Sequence, residues 1–193
     1  GSALGRNSDG PGFVRTVQEE FGAEVKDLRI LLLGAGGGAG GAVAVQSALT
    51  GHLVFSTLHT NDAASAVTRL IDMGVEPFLI SSSVLAMMAQ RLVRVLCTAC
   101  RVETPATAQL LRESGLDPEL YADQSFYDAP GCAECAYTGF RGRTAIAEVL
   151  DMSDRIRQMI LERRPAAEIK QAAREEGMTF LRDSALEKVF AGV

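Results

Sequence analysis

The chain has 193 residues, of which 47% are hydrophobic, and a formal net charge of −5. That length suffices for one core or two small ones, and the acidic balance speaks against nucleic acid as a main partner. No apolar run reaches the length needed to cross a bilayer, so no direct membrane insertion is expected.

The opening Gly1-Ser2 is expected to be the scar of a cleaved tag. No secretory signal is expected, which makes a reducing, cytoplasmic setting the default. Phe13, Val17, Phe21 and Val25 recur at helical spacing and predict an amphipathic first helix. Arg29-Ile-Leu-Leu-Leu33 fits a short buried parallel strand. Gly34-Ala-Gly-Gly-Gly-Ala-Gly-Gly41 follows at once, and then a helical stretch from Ala42 to Leu49. In that order, glycines let backbone amides approach a pyrophosphate at the positive end of a helix. Gly34, Gly36 and Ala39 fit the dinucleotide fingerprint, and Gly37 and Gly38 complete the run of amides. A close-packed turn with no ligand is the alternative. The loop is not a Walker A motif, because Gly41 is followed by Ala42-Val43 where Lys-Ser/Thr belongs. The only lysines are Lys26, Lys170 and Lys188, and none is placed to serve.

Asn7-Ser-Asp-Gly10, Phe13-Val-Arg and Leu31-Leu-Leu-Gly-Ala-Gly-Gly-Gly-Ala-Gly40 resemble the shikimate dehydrogenase family over about residues 5–48. The resemblance implies the first βα unit of an NADP-binding domain, with Asp9 at a substrate position. The family's substrate domain with its catalytic lysine has no counterpart here. Nor does the Asn-Arg-Thr that reads the 2′-phosphate, so NADP is expected to bind weakly if it binds.

Leu53-Val-Phe-Ser-Thr57 predicts another short strand, flanked by His52 and His59. Asn61-Asp62 can cap the next helix, which carries Ala66, Leu70 and Met73 on one face and stops at Gly74. A second helix, nearly all apolar and small, is expected over about Pro77 to Gln90 and should be buried. Taken alone, the two histidines are open to three readings: metal ligands, phosphate sensors or satisfied core groups.

Cys97-Thr-Ala-Cys100 and Cys132-Ala-Glu-Cys135 contain every cysteine in the chain, thirty-one residues apart. Two Cys-x-x-Cys turns can converge four thiolates on one tetrahedral zinc and leave no open position, which makes the metal a staple. Two disulfides or four unrelated buried thiols are the alternatives. Local disulfides inside such turns would be strained. Between the pairs, Ala106 to Ser114 predicts a short helix ended by Gly115, and Phe126 and Tyr127 are expected to cover the metal site. After them, a turn carries Arg141 and Arg143, which could bind phosphate, pair with acids or face solvent. Thr144 to Leu150 alternates like a strand. Three helices over about 154–162, 166–176 and 180–190 carry apolar stripes suited to a small bundle: Ile156 and Ile160; Ile169 and Ala173; Leu181, Leu186 and Val189.

From Gly51-His-Leu-Val-Phe-Ser-Thr-Leu-His-Thr-Asn-Asp-Ala-Ala-Ser65 onward, several long motifs resemble the type II secretion and type IV pilus assembly ATPases. They continue through Arg69–Phe78, Ala89–Arg94, the four cysteines and Thr138–Arg143, covering about residues 49–193. The resemblance implies a hexameric RecA-like motor with inner-membrane assembly partners. It also implies that His52 and His59 are histidine-box residues near nucleotide and subunit interface, and that the cysteines form a zinc subdomain. The given sequence holds no Walker A, acidic box, Walker B or N-terminal arginines, so no ATP hydrolysis is expected of it.

The whole therefore reads as a chimera whose join, inside Ala44–Gly51, preserves a βαβ unit. The expected fold is α/β: a small three-layer parallel-sheet core, a RecA-like and Rossmann-like hybrid, with a tetracysteine subdomain and C-terminal helices. Expected divisions are 1–50 for the glycine-loop unit, 51–96 for the motor remnant, 97–143 for the zinc subdomain and 144–193 for the last strand and helices. Self-association is expected to bury apolar surface left open by so small a core.

Overall fold

Residues 30–34, 44–45, 47–121 and 124–193 are described by a computed structural model. Within it, β1 (Ile30–Gly34) and β2 (Leu53–Thr57) form a parallel pair in the register Ile30↔Leu53 to Gly34↔Thr57. The two short apolar runs thus pair as their sequence predicts, with helical residues 44–45 and 47–49 between them. The expected first helix lies outside the described residues.

The chain is α/β. Helix α1 (Ala63–Asp72) buries Ala63, Ala64, Ala66, Val67 and Leu70, the small and branched positions of one face. Gly74 ends it at φ +86, with its own N–H and that of Val75 closing onto Ile71 and Leu70 carbonyls. The predicted second helix is corrected at its far end and in its burial. Helix α2 (Pro77–Ser83) stops early, and Ala86–Leu96 is a strand, β3. The arginine Arg157 explains the stop, donating to the carbonyls of Ser81 and Val84. Beyond it the pattern changes to period two, with Met87 and Ala89 buried while Ala86, Met88 and Gln90 face out. Only Pro77 and Ile80 of α2 are buried.

Strand β3 pairs antiparallel with β6 (Phe140–Asp151), Ala86 opposite Asp151 and Leu96 opposite Phe140. Between these strands lies an insert holding β4 (Val102–Thr104), helix α3 (Ala108–Glu113) and β5 (Phe126–Asp128). The β4 and β5 strands form a second small antiparallel pair. The Thr107 hydroxyl caps α3, and Gly115 follows its end at φ +66.

The tail holds α4 (Asp154–Leu161), α5 (Ala166–Glu175) and α6 (Leu181–Phe190). All three fall where the sequence puts them. Helix α4 packs on α2, with Ile156 and Ile160 fully buried, while α6 lies against β6, β3 and β5. No residue of α6 is buried, and Val189 is 41% exposed, so its predicted stripe does not seat it.

The chain divides into two compact units, each assembled from separated segments. Among the described residues, one takes the stretch up to Thr60, Ser65–Leu85 and Met152–Ile169. The other takes Asn61–Ala64, Ala86–Asp151 and Lys170–Val193. No helix among the described residues is long and apolar enough to cross a membrane.

Candidate metal centre

The four cysteines stand at the foot of the β3–β6 ribbon. Cys97 follows β3 directly, its N–H donating to the Gly139 carbonyl at 2.9 Å. Cys132 and Cys135 bracket a short 3₁₀ turn (Ala133–Cys135), after which Ala136 and Tyr137 both adopt left-handed backbone, φ 51 and 59. Two such residues in a row reverse the chain tightly, and they are strained positions for side-chain-bearing residues. The reversal brings Gly131 and Gly139 into close approach with their neighbours. A Cβ on Gly131 would lie 2.7 Å from the Tyr137 carbonyl oxygen, and one on Gly139 only 2.2 Å from that of Ala129.

All four Sγ atoms lie within 4.8 Å of one another, with Cys97–Cys132 and Cys132–Cys135 at 3.9 Å and Cys100–Cys135 at 4.0 Å. Thiolates on a tetrahedral zinc at about 2.3 Å would sit about 3.8 Å apart, so the cluster could hold one metal ion. The thiols are free of disulfides, which removes that alternative for the four. Backbone amides supply an outer shell: Cys132 N–H reaches Cys135 Sγ at 3.1 Å and Gly139 N–H reaches it at 3.3 Å. The Cys132 N–H, followed by that of Gly139, lowers the Cys135 thiol to about 6 against the opposing effect of burial. Burial raises Cys100 to about 12; hydrogen bonds with the other three thiols add to this, and the Gly131 backbone opposes it.

Phe126 and Tyr127, expected to cover the metal site, each have a ring contact. Phe126 meets Phe190 of α6 edge-on at 5.9 Å, and Tyr127 lies under the Arg101 guanidinium. Arg141 and Arg143 stand on β6 itself. Arg141 pairs with exposed Glu134 at 3.3 Å, while Arg143 faces Arg94 across the ribbon beside an open recess of about 360 Å³. The histidines are not brought together. His52 precedes β2, its Nδ1 3.1 Å from the Thr50 hydroxyl, and exposed His59 lies beyond the other end of that strand, whose five residues span about 16 Å. Gly34 closes β1, and Gly36, Gly37, Gly38 and Ala39 lie outside the described residues.

Glu148 is a residue that sequence reading passed over. It is 3% exposed, and its carboxylate accepts the N–H of Ala63 at 2.7 Å and of Leu181 at 2.9 Å. Ile146, Glu148 and Leu150 share the inward side of β6, so a lone acid at an inward position of an alternating strand was the available signal.

The profile of the family described as "Type II/IV secretion system protein" matches residues 37–193. The chain belongs to that family. It is 46% identical over 151 residues to the type IV pilus assembly ATPase PilB of Thermus thermophilus, covering 78% of this chain and 17% of the relative. Type II secretion system protein E of Klebsiella pneumoniae is 48% identical over 151 residues, covering 78% and 29%. Among solved structures, the Legionella pneumophila ATPase DotB aligns with a TM-score of 0.52 at 18% identity, covering 94% of this chain and 39% of that one, a likeness of fold. The chain spans less than a third of the curated relatives it matches. The family match starts ahead of the residue-49 boundary read from motifs and overlaps the glycine loop. No dehydrogenase relationship is shown, and nothing in the described residues supports NADP.

Proposed function

We propose that this chain acts as the C-terminal part of a secretion or pilus-assembly motor, a zinc-stapled structural and interaction module that does not itself hydrolyse ATP. The single observation carrying the metal is the convergence of Cys97, Cys100, Cys132 and Cys135 to within 4.8 Å, supported by amides aimed at Cys135. Zinc on four thiolates would supply a cross-link joining the two ends of the insert, with no vacant position for substrate. Residues 97–143 are then the zinc subdomain. Family membership supports the motor setting, and the partners follow from it: other copies of the motor, and inner-membrane assembly proteins. His52 and His59 are read as histidine-box residues that serve a nucleotide only in an assembly supplying lysine and magnesium-binding acids, since phosphoryl transfer depends on those charges. The front, to about residue 48, is read as a grafted dehydrogenase-type βα unit on its motifs alone.

Elemental analysis, native mass and a phosphate-release assay on the full chain test this together. About one zinc per chain with no magnesium-dependent phosphate release is expected. Protein purified without chelator that holds no zinc would remove the staple, and turnover of ATP would remove the inactive reading.

A further inference from the structure

Glu148 is the one charged side chain buried among the described residues, and it serves two helix starts at once. Oε1 accepts from Ala63, the first residue of α1, and Oε2 from Leu181, the first residue of α6. First-turn amides have no partner within their own helix, and a carboxylate there also meets the positive end of the helix dipole. A buried charge shared this way ties its two partners together, because displacing one leaves an oxygen unpaired in a dry site.

The far end of α6 is fixed to the cysteine-bearing insert. Phe190 stacks on Tyr121 with ring centroids 5.4 Å apart and meets Phe126 edge-on. Just past that end Arg101 donates to the Gly192 carbonyl, while at the start of the helix Arg182 reaches the Ser114 carbonyl at 2.6 Å. The residues just before Ala63 are gripped as well: Arg91 donates to Asn61 Oδ1 at 3.1 Å, and Lys170 Nζ lies 2.8 Å from Asp62 Oδ2. In the sequence, Asn61 stands two residues after His59.

We propose that Glu148 is a positioning residue that couples the segment Asn61–Ala63, which starts two residues after the second histidine, to the tail helix α6 and through it to the cysteine-bearing insert. Loosening of the insert is then felt at Ala63. The inference goes beyond the function proposed above, and only its metal arm rests on the cysteines holding zinc.

Amide hydrogen exchange on the isotope-labelled full chain, with metal content measured in parallel, tests it. Phe190→Ala loosens the insert end of α6 and should raise exchange at both Leu181 and Ala63 several-fold. Glu148→Gln keeps the shape but offers one acceptor, so exchange at Ala63 or Leu181 should rise at least about tenfold, as for one lost hydrogen bond to a charged group. In that background Phe190→Ala should no longer reach Ala63, a non-additivity that mere local capping would not give. Stripping zinc should raise exchange at Leu181 and Ala63 together. Phe190→Ala acting on Leu181 alone while Glu148 is intact, or on Ala63 equally in both backgrounds, overturns the coupling. If Glu148→Gln fails to fold by circular dichroism, Phe190→Ala in the native background still decides. A chain that carries no zinc refutes the metal reading, and the Phe190→Ala arm judges the coupling regardless.

Discussion

Gly139→Ala and Gly142→Ala form a matched pair that tests whether the cysteine turn is as tight as its geometry requires. Both glycines have left-handed backbone, φ +75 and +84, so both substitutions carry about 1 kcal/mol of strain for a side chain there. They differ in space. The new Cβ at 142 meets nothing within 4 Å, whereas the one at 139 would sit 2.2 Å from the Ala129 carbonyl oxygen. That contact forces the backbone apart, and forced shifts of this kind add about 1–3 kcal/mol. Gly139 is also tied to two of the four cysteines: its N–H reaches Cys135 Sγ, and its carbonyl accepts the Cys97 N–H. The difference should therefore show as metal affinity, about 5- to 150-fold weaker for Gly139→Ala than for Gly142→Ala. Competition against a chromophoric chelator measures the affinities, and urea unfolding measures the accompanying stability. Equal losses in the two variants would refute the argument that close approach, and not backbone angle alone, demands glycine at 139.

Three further outcomes are expected. At pH 7 the metal-free chain holds Cys135 as thiolate, its value of about 6 lying below the pH, and Cys100 as thiol at about 12. Zinc uptake then expels the Cys100 proton but not one from Cys135, so fewer than four protons leave at pH 7; below pH 6 Cys135 adds its own. Calorimetry in buffers of different ionisation enthalpy counts them, and a full four at pH 7 contradicts the assignment. Ile160→Ala, at a fully buried position of α4, should destabilise by about 2–5 kcal/mol in urea, and a loss under 1 would mean that α4 is not seated as described. Arg157→Ala strips the donor from the Ser81 and Val84 carbonyls and should lower stability by about 1–3 kcal/mol without changing metal content, a separation that thermal melts with and without chelator would check.

The parts legible in the sequence were those set by local chemistry. Four cysteines in two spaced pairs announce their convergence. Gly74 and Gly115 mark helix ends with positive φ, and the runs 30–34 and 53–57 pair as parallel strands. What stayed hidden was set by distant partners. Nothing within Pro77–Gln90 reveals that helix gives way to strand after Ser83, because the capping guanidinium comes from Arg157 and the ribbon partner from residues 140–151. Small apolar residues satisfy both periods, so composition could not choose between them. Helix α6 misled for a related reason: it is held by its ends, through Glu148 and Phe190, while its expected stripe stays partly exposed. Of the two aromatics expected to cover the metal, Phe126 meets Phe190 of that helix and Tyr127 lies under Arg101.

The position of the cysteines at the foot of the ribbon carries a kinetic consequence. Pairing Leu96 with Phe140 requires the ends of a 43-residue segment to meet before any ladder bond can form. Relative to a four-residue turn, that search costs about 2 kcal/mol of chain entropy. An ion held by Cys97 and Cys100 on one side and Cys132 and Cys135 on the other, as proposed above, would close the same segment at the point where β3 ends and β6 is about to begin. The ribbon then zips from its foot as a tight hairpin would. Refolding from denaturant should accordingly quicken with free zinc until the thiols saturate, and the assembly of β3 with β6 becomes a step whose pace the surrounding metal concentration sets.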